Sequence, residues 1–324
     1  MTTEIPCQPS TALPPELERY LYHPVSMLSV HVTDSCNSKC EFCVVNSPVL
    51  RVPISTNELV RHVESFAENL PEVLNIHGGE PTISKALFPV LDAAQRIGIP
   101  EAHLQTNGIR LANRKYVDRL IEAGVSVFVV SLHGHVARQQ EEITLTPNSF
   151  AKILRGIRNC LDAGALVRTN TVICKQNIAS LYDVLALSGD LGVRWQNISA
   201  LHPSKHAMSS FQKLVVHPQD VRSTLLTTVK RLREAFPDIV VELEGFPPCH
   251  APGLDALHID TSMRQIRMIY HDKVFDDYED YMNDTQRHFP LQCLSCREMT
   301  GCSGIYHAYE TEFDGPVVWP RLHN

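Results

Sequence analysis

The feature that most restricts the fold is a regular alternation of short apolar runs with helix-spaced ones between residues 26 and 235. Met27–Val32, Val73–His77, Ala102–Gln105, Val125–Leu132, Leu166–Ile173 and Arg194–Ser199 read as strands. Val125–Leu132 is the most continuously apolar of these and reads as buried on both faces. Asn57–Asn69, Lys85–Ile97, Asn113–Ala123, Ser149–Ala163, Ile178–Gly189 and Pro218–Ala235 carry helical spacing. Ser55 and Thr56 suit a helix start, and Gly98, Gly124 and Gly164 suit helix ends. Six such β/α units predict a parallel sheet with helices outside. They are too few for an eight-unit barrel, so the expected fold is α/β, a partial (β/α)6 barrel. Its functional groups belong at the carboxyl ends of the strands.

This pattern sets the expected organisation. Residues 1–24 are Pro-rich and read as an irregular lead-in, residues 25–237 as the barrel and residues 238–324 as a small C-terminal domain. In the last of these, Ile239–Leu243 reads as a strand, and Leu257–Asp260 with Gln265–Tyr270 as a small hairpin. Asp276–His288 reads as an acidic helix, followed by a cysteine-dense stretch at 293–302. So small a tail buries little core by itself, and a metal clip would help it fold.

The net charge of −7 makes nucleic acid and anionic membrane unfavoured partners. No apolar run is long enough to span a bilayer and the N-terminus lacks a signal-peptide core, so the expected location is the cytoplasm. Ten cysteines in such a compartment point to metal or catalysis rather than disulfides. Cys160 and Cys174 read as buried apolar residues, and Cys7 as incidental.

The chemistry concentrates in Cys36, Cys40 and Cys43, just after the first strand. Three thiolates within eight residues can wrap one small inorganic cluster and leave one metal corner open to a chelating ligand. They could also hold a structural zinc, completed by His31 or a distant residue. Further polar motifs stand at successive strand ends: His77-Gly78-Gly79-Glu80-Pro81-Thr82, Gln105-Thr106-Asn107-Gly108, Ser131-Leu132-His133-Gly134, and Asn170 within the fifth strand. Together with the C-x3-C-x2-C spacing they resemble the radical S-adenosylmethionine superfamily over residues 26 to about 200. The resemblance implies a [4Fe–4S] cluster on Cys36, Cys40 and Cys43, S-adenosyl-L-methionine bound to it, and a 5′-deoxyadenosyl radical. It places Phe42 near the adenine and Gly78, Gly79 and Glu80 at the cofactor's ammonium. Thr106, Asn107, Ser131 and Asn170 fall at its ribose and carboxylate. A flavodoxin or ferredoxin is the expected electron donor.

Cys293-x2-Cys296-x5-Cys302 resembles the auxiliary-cluster region of the SPASM/twitch subfamilies, which implies a second [4Fe–4S] cluster. Cys249 stands in a Pro-pinned loop after a strand and has two readings. It completes that cluster, or it is a free thiol pointing into the barrel that returns a hydrogen atom to a substrate radical. A zinc ribbon on Cys293, Cys296, Cys302 and Cys249 or His250 is a third arrangement. His133 and His135 read as substrate contacts or as hydrogen-bonded loop residues. The acidic run Asp276, Asp277, Glu279 and Asp280 reads as a solvated helix face or as a recognition surface for a polyamine-like substrate.

The short chain with one auxiliary cluster resembles enzymes of aminoglycoside antibiotic biosynthesis. That resemblance implies a polycationic sugar substrate and an epimerisation with Cys249 as hydrogen donor. The other readings are a radical dehydrogenase of an amino sugar or aminocyclitol, a peptide-modifying enzyme, and a zinc-stabilised binding module.

Overall fold

A computed structural model describes residues 17, 20, 25–45, 54–203, 206–257 and 264–322. Its centre is a nine-stranded sheet: β1 (Val25–His31), β2 (Val73–His77), β3 (Glu101–Thr106), β4 (Val125–Ser131), β5 (Leu166–Val172), β6 (Trp195–Ser199), β7 (Val240–Glu244), β8 (Arg264–Tyr270) and β9 (Lys273–Phe275). The order is β7-β6-β5-β4-β3-β2-β1-β8-β9. Every neighbouring pair is parallel except β8 with β9. This is a partial barrel of β/α units, as the alternation predicts.

Helices α1 (Thr56–Glu64), α2 (Leu87–Ile97), α3 (Arg114–Glu122), α4 (Ala137–Thr144), α5 (Phe150–Leu161), α6 (Leu181–Asp190), α7 (His206–Leu214) and α8 (Pro218–Ala235) connect the strands. Ser55 and Glu58 form a reciprocal capping box on α1, and α2 ends at Gly98, whose φ of 92° favours glycine. One side of the sheet buries Leu28, Val30, Leu74, Ile76, Leu104, Phe128 and Val130 against the helices. The alternate residues, among them Ser29, Asn75, Gln105, Ser131, Asn170, Asn197 and Met268, face inward on a central cavity.

The amino ends of the strands are closed. Leu17, from the lead-in, packs on Val127, Val129, Trp195 and Val240. Tyr20 stacks on Trp195 at 4.9 Å and bonds Glu101 through its hydroxyl. Both residues are helical, where an irregular segment was expected, and Cys7 lies outside the described residues.

Three strands after residue 237 belong to the same sheet as the barrel. The expected hairpin is therefore corrected: β8 pairs in parallel with β1 and antiparallel with β9. Residues 258–263 lie outside the described residues. The remaining tail holds α9 (Tyr278–Gln286), the short pair β10 (Arg287–His288) and β11 (Ile305–Tyr306), and α10 (His307–Glu312). Among the described residues, no helix is long and apolar enough to cross a membrane.

Candidate radical site

The carboxyl ends of the strands open on a cavity of about 1550 Å³ lined by Cys36, Cys40 and Cys43. The loop that carries these cysteines is fixed by β2. Gly79 donates its N–H to Thr33 O at 2.6 Å, and Glu80 to Ser35 O at 2.8 Å. Only glycine permits this approach. A Cβ on Gly78 would stand 2.5 Å from Thr33 O, and one on Gly79 would stand 2.3 Å from Ser35 O. Gly78 also has a φ of 150°.

Glu80 is fully buried and accepts from Thr82 N (3.0 Å), Thr82 Oγ1, Thr106 Oγ1 (2.7 Å) and Asn107 N (2.7 Å). Its carboxylate ties the end of β2 to the end of β3. The hydrogen bonds are satisfied from within the protein, while burial holds the carboxyl above its usual range. Asn107 Nδ2 donates to Asn37 Oδ1 at 2.7 Å and to Ser38 Oγ at 3.2 Å, binding β3 to the cysteine loop. Phe42, Gly78, Gly79, Thr106, Asn107, Ser131 and Asn170 all line the cavity.

The donor set fits an iron–sulfur cluster. Ser38 N–H donates to Cys36 Sγ at 3.3 Å, and burial, followed by the Cys43 and Cys36 thiols, pushes Cys40 up to about 12. Burial also raises Cys36. Among the described residues, the one set of three or more metal-binding side chains converging within 4.8 Å is His31, Asp34 and His271. Neither cysteine group is drawn together so closely.

Cys249, Cys293, Cys296 and Cys302 line a separate small apolar pocket with Pro247, Pro248, Ile305 and Val318. Gly304 N–H reaches Cys302 Sγ at 3.3 Å, and Arg321 N–H reaches Cys296 Sγ at 3.4 Å. Cys293 is pushed up to about 11 by burial and then by Cys249, Cys302 and Cys296. Cys249 is grouped with these three thiols, whereas Gly245, four residues earlier in the same loop, lines the cavity. Cys160 and Cys174 are buried, as expected.

His133 is buried, and its Nδ1 accepts from Val172 N–H at 3.2 Å. Its ring meets Phe42 edge-on at 4.8 Å, and burial alone pushes it down to about 3. His135 bonds Gln139 at 2.9 Å. Asp277 caps α9 by accepting from Glu279 N and Asp280 N. Glu279 lines the cavity but is paired with Arg287 at 3.0 Å.

Residues missed in the sequence complete the far wall. Asn197 Nδ2 donates to Asn170 Oδ1 (2.8 Å) and to Glu244 Oε2 (2.6 Å), and Ser199 Oγ donates to Asn170 Oδ1 (2.7 Å). The Glu244 carboxylate is exposed to the cavity. Polar residues at alternate positions, Arg168/Asn170, Asn197/Ser199 and Glu242/Glu244, are the signal that could have found this wall. Glu242 is buried on Arg168 (2.7 Å) and Trp195 (2.8 Å) beneath it.

Residues 30–188 match the family model described as the Radical SAM superfamily. A probable GTP 3′,8-cyclase of Saccharolobus islandicus is 28% identical over 182 residues, which are 56% of this chain and 58% of that protein. A GTP 3′,8-cyclase of Pasteurella multocida is 33% identical over 163 residues, 48% of this chain and 46% of its own length. The chain thus spans about half the length of these curated relatives. Streptococcus suis SuiB, solved bound to S-adenosylmethionine, superposes with a TM-score of 0.65 at 16% identity, over 94% of this chain and 79% of SuiB.

Proposed function

The chain belongs to the radical SAM superfamily, and from that premise we propose that it removes a hydrogen atom from a carbon of an aminoglycoside-type sugar and returns one to the opposite face. A reduced [4Fe–4S] cluster on Cys36, Cys40 and Cys43 with bound S-adenosyl-L-methionine supplies the 5′-deoxyadenosyl radical that takes the hydrogen. The chain's own residues bind, orient and shield the reactants.

The observation that carries the substrate class is the wall of Asn170, Asn197, Ser199 and Glu244. An amide–hydroxyl–carboxylate array suits a molecule rich in hydroxyl and ammonium groups. Glu244 has acceptor capacity beyond the Asn197 and Ser199 bonds, and its negative charge favours a cation. Asp272, at the β8–β9 turn, adds a further carboxylate to the lining. At about 1550 Å³, the cavity exceeds the 300–1000 Å³ or so of an ordinary ligand site, which leaves room for a cofactor and a second molecule together.

The strand order supports inversion. The cysteine loop follows β1, whereas Cys249 follows β7 at the far edge of the sheet. A substrate between them is approached from opposite sides. A turn of the Gly245–Cys249 loop would bring the thiol to the cavity. Its S–H would give a hydrogen atom to the substrate radical, and the thiyl radical left on Cys249 would take one electron from the flavodoxin or ferredoxin donor and a proton from solvent, which closes an epimerisation of the neomycin C to B type.

A second reading follows from the pocket that Cys249 shares with three other thiols. In it, Cys249 completes a second [4Fe–4S] cluster, which accepts an electron and makes the reaction a dehydrogenation of an amino sugar. Turnover in deuterated water with a panel of aminoglycosides separates the two. One solvent deuterium on an inverted carbon supports the first reading, as does a Cys249→Ala variant that keeps its iron but yields no product. A carbonyl product, and a Cys249→Ala variant short of iron, support the second. No turnover of any aminated sugar refutes the substrate class.

A further inference from the structure

Beside the cavity, and apart from any thiol, three segments bring metal-binding side chains together. His31 ends β1, Asp34 stands in the cysteine loop and His271 is in the β8–β9 turn. Their two imidazole nitrogens and one carboxylate oxygen lie within 4.8 Å of one another. His31 Nε2 is 2.8 Å and His271 Nε2 is 3.4 Å from the same atom, Asp34 Oδ1. The shorter of these is a hydrogen bond. Bonds of about 2.0–2.2 Å at tetrahedral angles set neighbouring donors about 3.4 Å apart, which is the His271–Asp34 distance, so a shift of about 0.6 Å at His31 would place all three donors around one ion.

Burial and backbone agree. His31 is 2% and His271 7% exposed, whereas Asp34 is half-exposed and leaves an entry side. His271 has a φ of 56°, a left-handed conformation uncommon outside glycine and held only where surroundings demand it. In that conformation its ring faces His31 at 5.0 Å between centroids. The rings of Tyr270 and His77 pack edge-on to His31 at 4.6 and 5.4 Å, enclosing the site.

We propose that His31, Asp34 and His271 bind one divalent transition ion of the zinc class. Two imidazoles and a carboxylate suit zinc, and the absence of thiolate from the set separates it from the iron–sulfur sites. Asp34 is two residues from Cys36, so the ion ties the cysteine loop to β8 across β1. This site does not depend on which substrate the cavity takes.

The test uses the full chain, reconstituted anaerobically with iron and sulfide, exposed to Zn²⁺ alone, desalted and analysed for both metals. Wild type should retain about one zinc per chain. His271→Ala and His31→Gln should bind zinc at least about 10-fold more weakly with iron unchanged, and His271→Asp, which restores a donor, should recover part of the affinity. The site is overturned by equal zinc in wild type and both variants, by no zinc in any, or by zinc that appears only as iron is displaced. Loss of zinc and iron together in both variants also overturns it, because the histidines would then merely support the cysteine loop.

Discussion

Replacing Gly79 by alanine tests how the sequence positions the cluster loop. The added Cβ would stand 2.3 Å from Ser35 O, 2.6 Å from Asp34 O and 2.7 Å from Ser35 C. All three are backbone atoms, so no side chain can swing aside. An ordinary carbon–oxygen contact of about 3.3–3.6 Å requires the strands to part by about 1 Å. That lengthens the Gly79–Thr33 bond from 2.6 Å and the Glu80–Ser35 bond from 2.8 Å beyond useful range. Two lost backbone bonds at about 1–2 kcal/mol each give a destabilisation of about 2–4 kcal/mol. Cys36 follows Ser35 directly, so the same shift moves a ligand out of place. Anaerobic urea unfolding should show a lower midpoint with unchanged slope. Iron analysis should show a loss of about four atoms per chain, one cubane. An unchanged midpoint with full iron would refute the close-approach reasoning.

Other perturbations follow from the same geometry. Glu244→Gln keeps an acceptor for Asn197 but removes the charge, so KM for an aminated substrate should rise about 10- to 100-fold with little change in kcat; an unchanged KM would remove Glu244 from substrate binding. His133 is held down to about 3 by burial against about 6.5 in an unfolded chain. The unfolded state therefore takes the proton first, and this part of the stability is complete above about pH 6.5 and lost as pH falls towards 3. His133→Asn should make the acid limb of the stability profile shallower, by up to about 1.4 kcal/mol per pH unit, and an identical limb would contradict the burial account. Cys302→Ser should lose about half of the iron bound by a two-cluster chain while still cleaving S-adenosylmethionine; retention of all the iron would exclude Cys302 as a ligand.

The barrel was legible because its strands are apolar runs bounded by glycines and its helices carry caps. Val73–His77 and Pro218–Ala235 have the bounds expected of them, and the other helices and strands of the series fall within a few residues. α4 escaped notice because Ala137–Thr144 is mostly polar, with inward residues Gln140, Ile143 and Thr144. The place of β8 was hidden for a different reason. A strand's periodicity reveals its faces but not its partner, and β8 joins β1 across more than two hundred residues. The site was legible where function needs contiguous residues, as in Cys36–Cys43 and Gly78–Glu80. It was obscure where single side chains from β5, β6 and β7 meet, because neither Asn197 nor Glu244 is unusual within its own segment. Cys249 shows the limit: its segment admits two roles, and only the assembled fold shows that it lines a pocket with Cys293, Cys296 and Cys302.

The most direct test of the central claim is formation of 5′-deoxyadenosine by the anaerobically reconstituted and reduced chain given S-adenosylmethionine. Wild type should form it, and a Cys36→Ala/Cys40→Ala/Cys43→Ala variant should not, even with iron retained at the second cysteine group. A wild-type chain carrying its iron that yields no 5′-deoxyadenosine, or a triple variant that still does, would contradict the assignment of radical chemistry to this site.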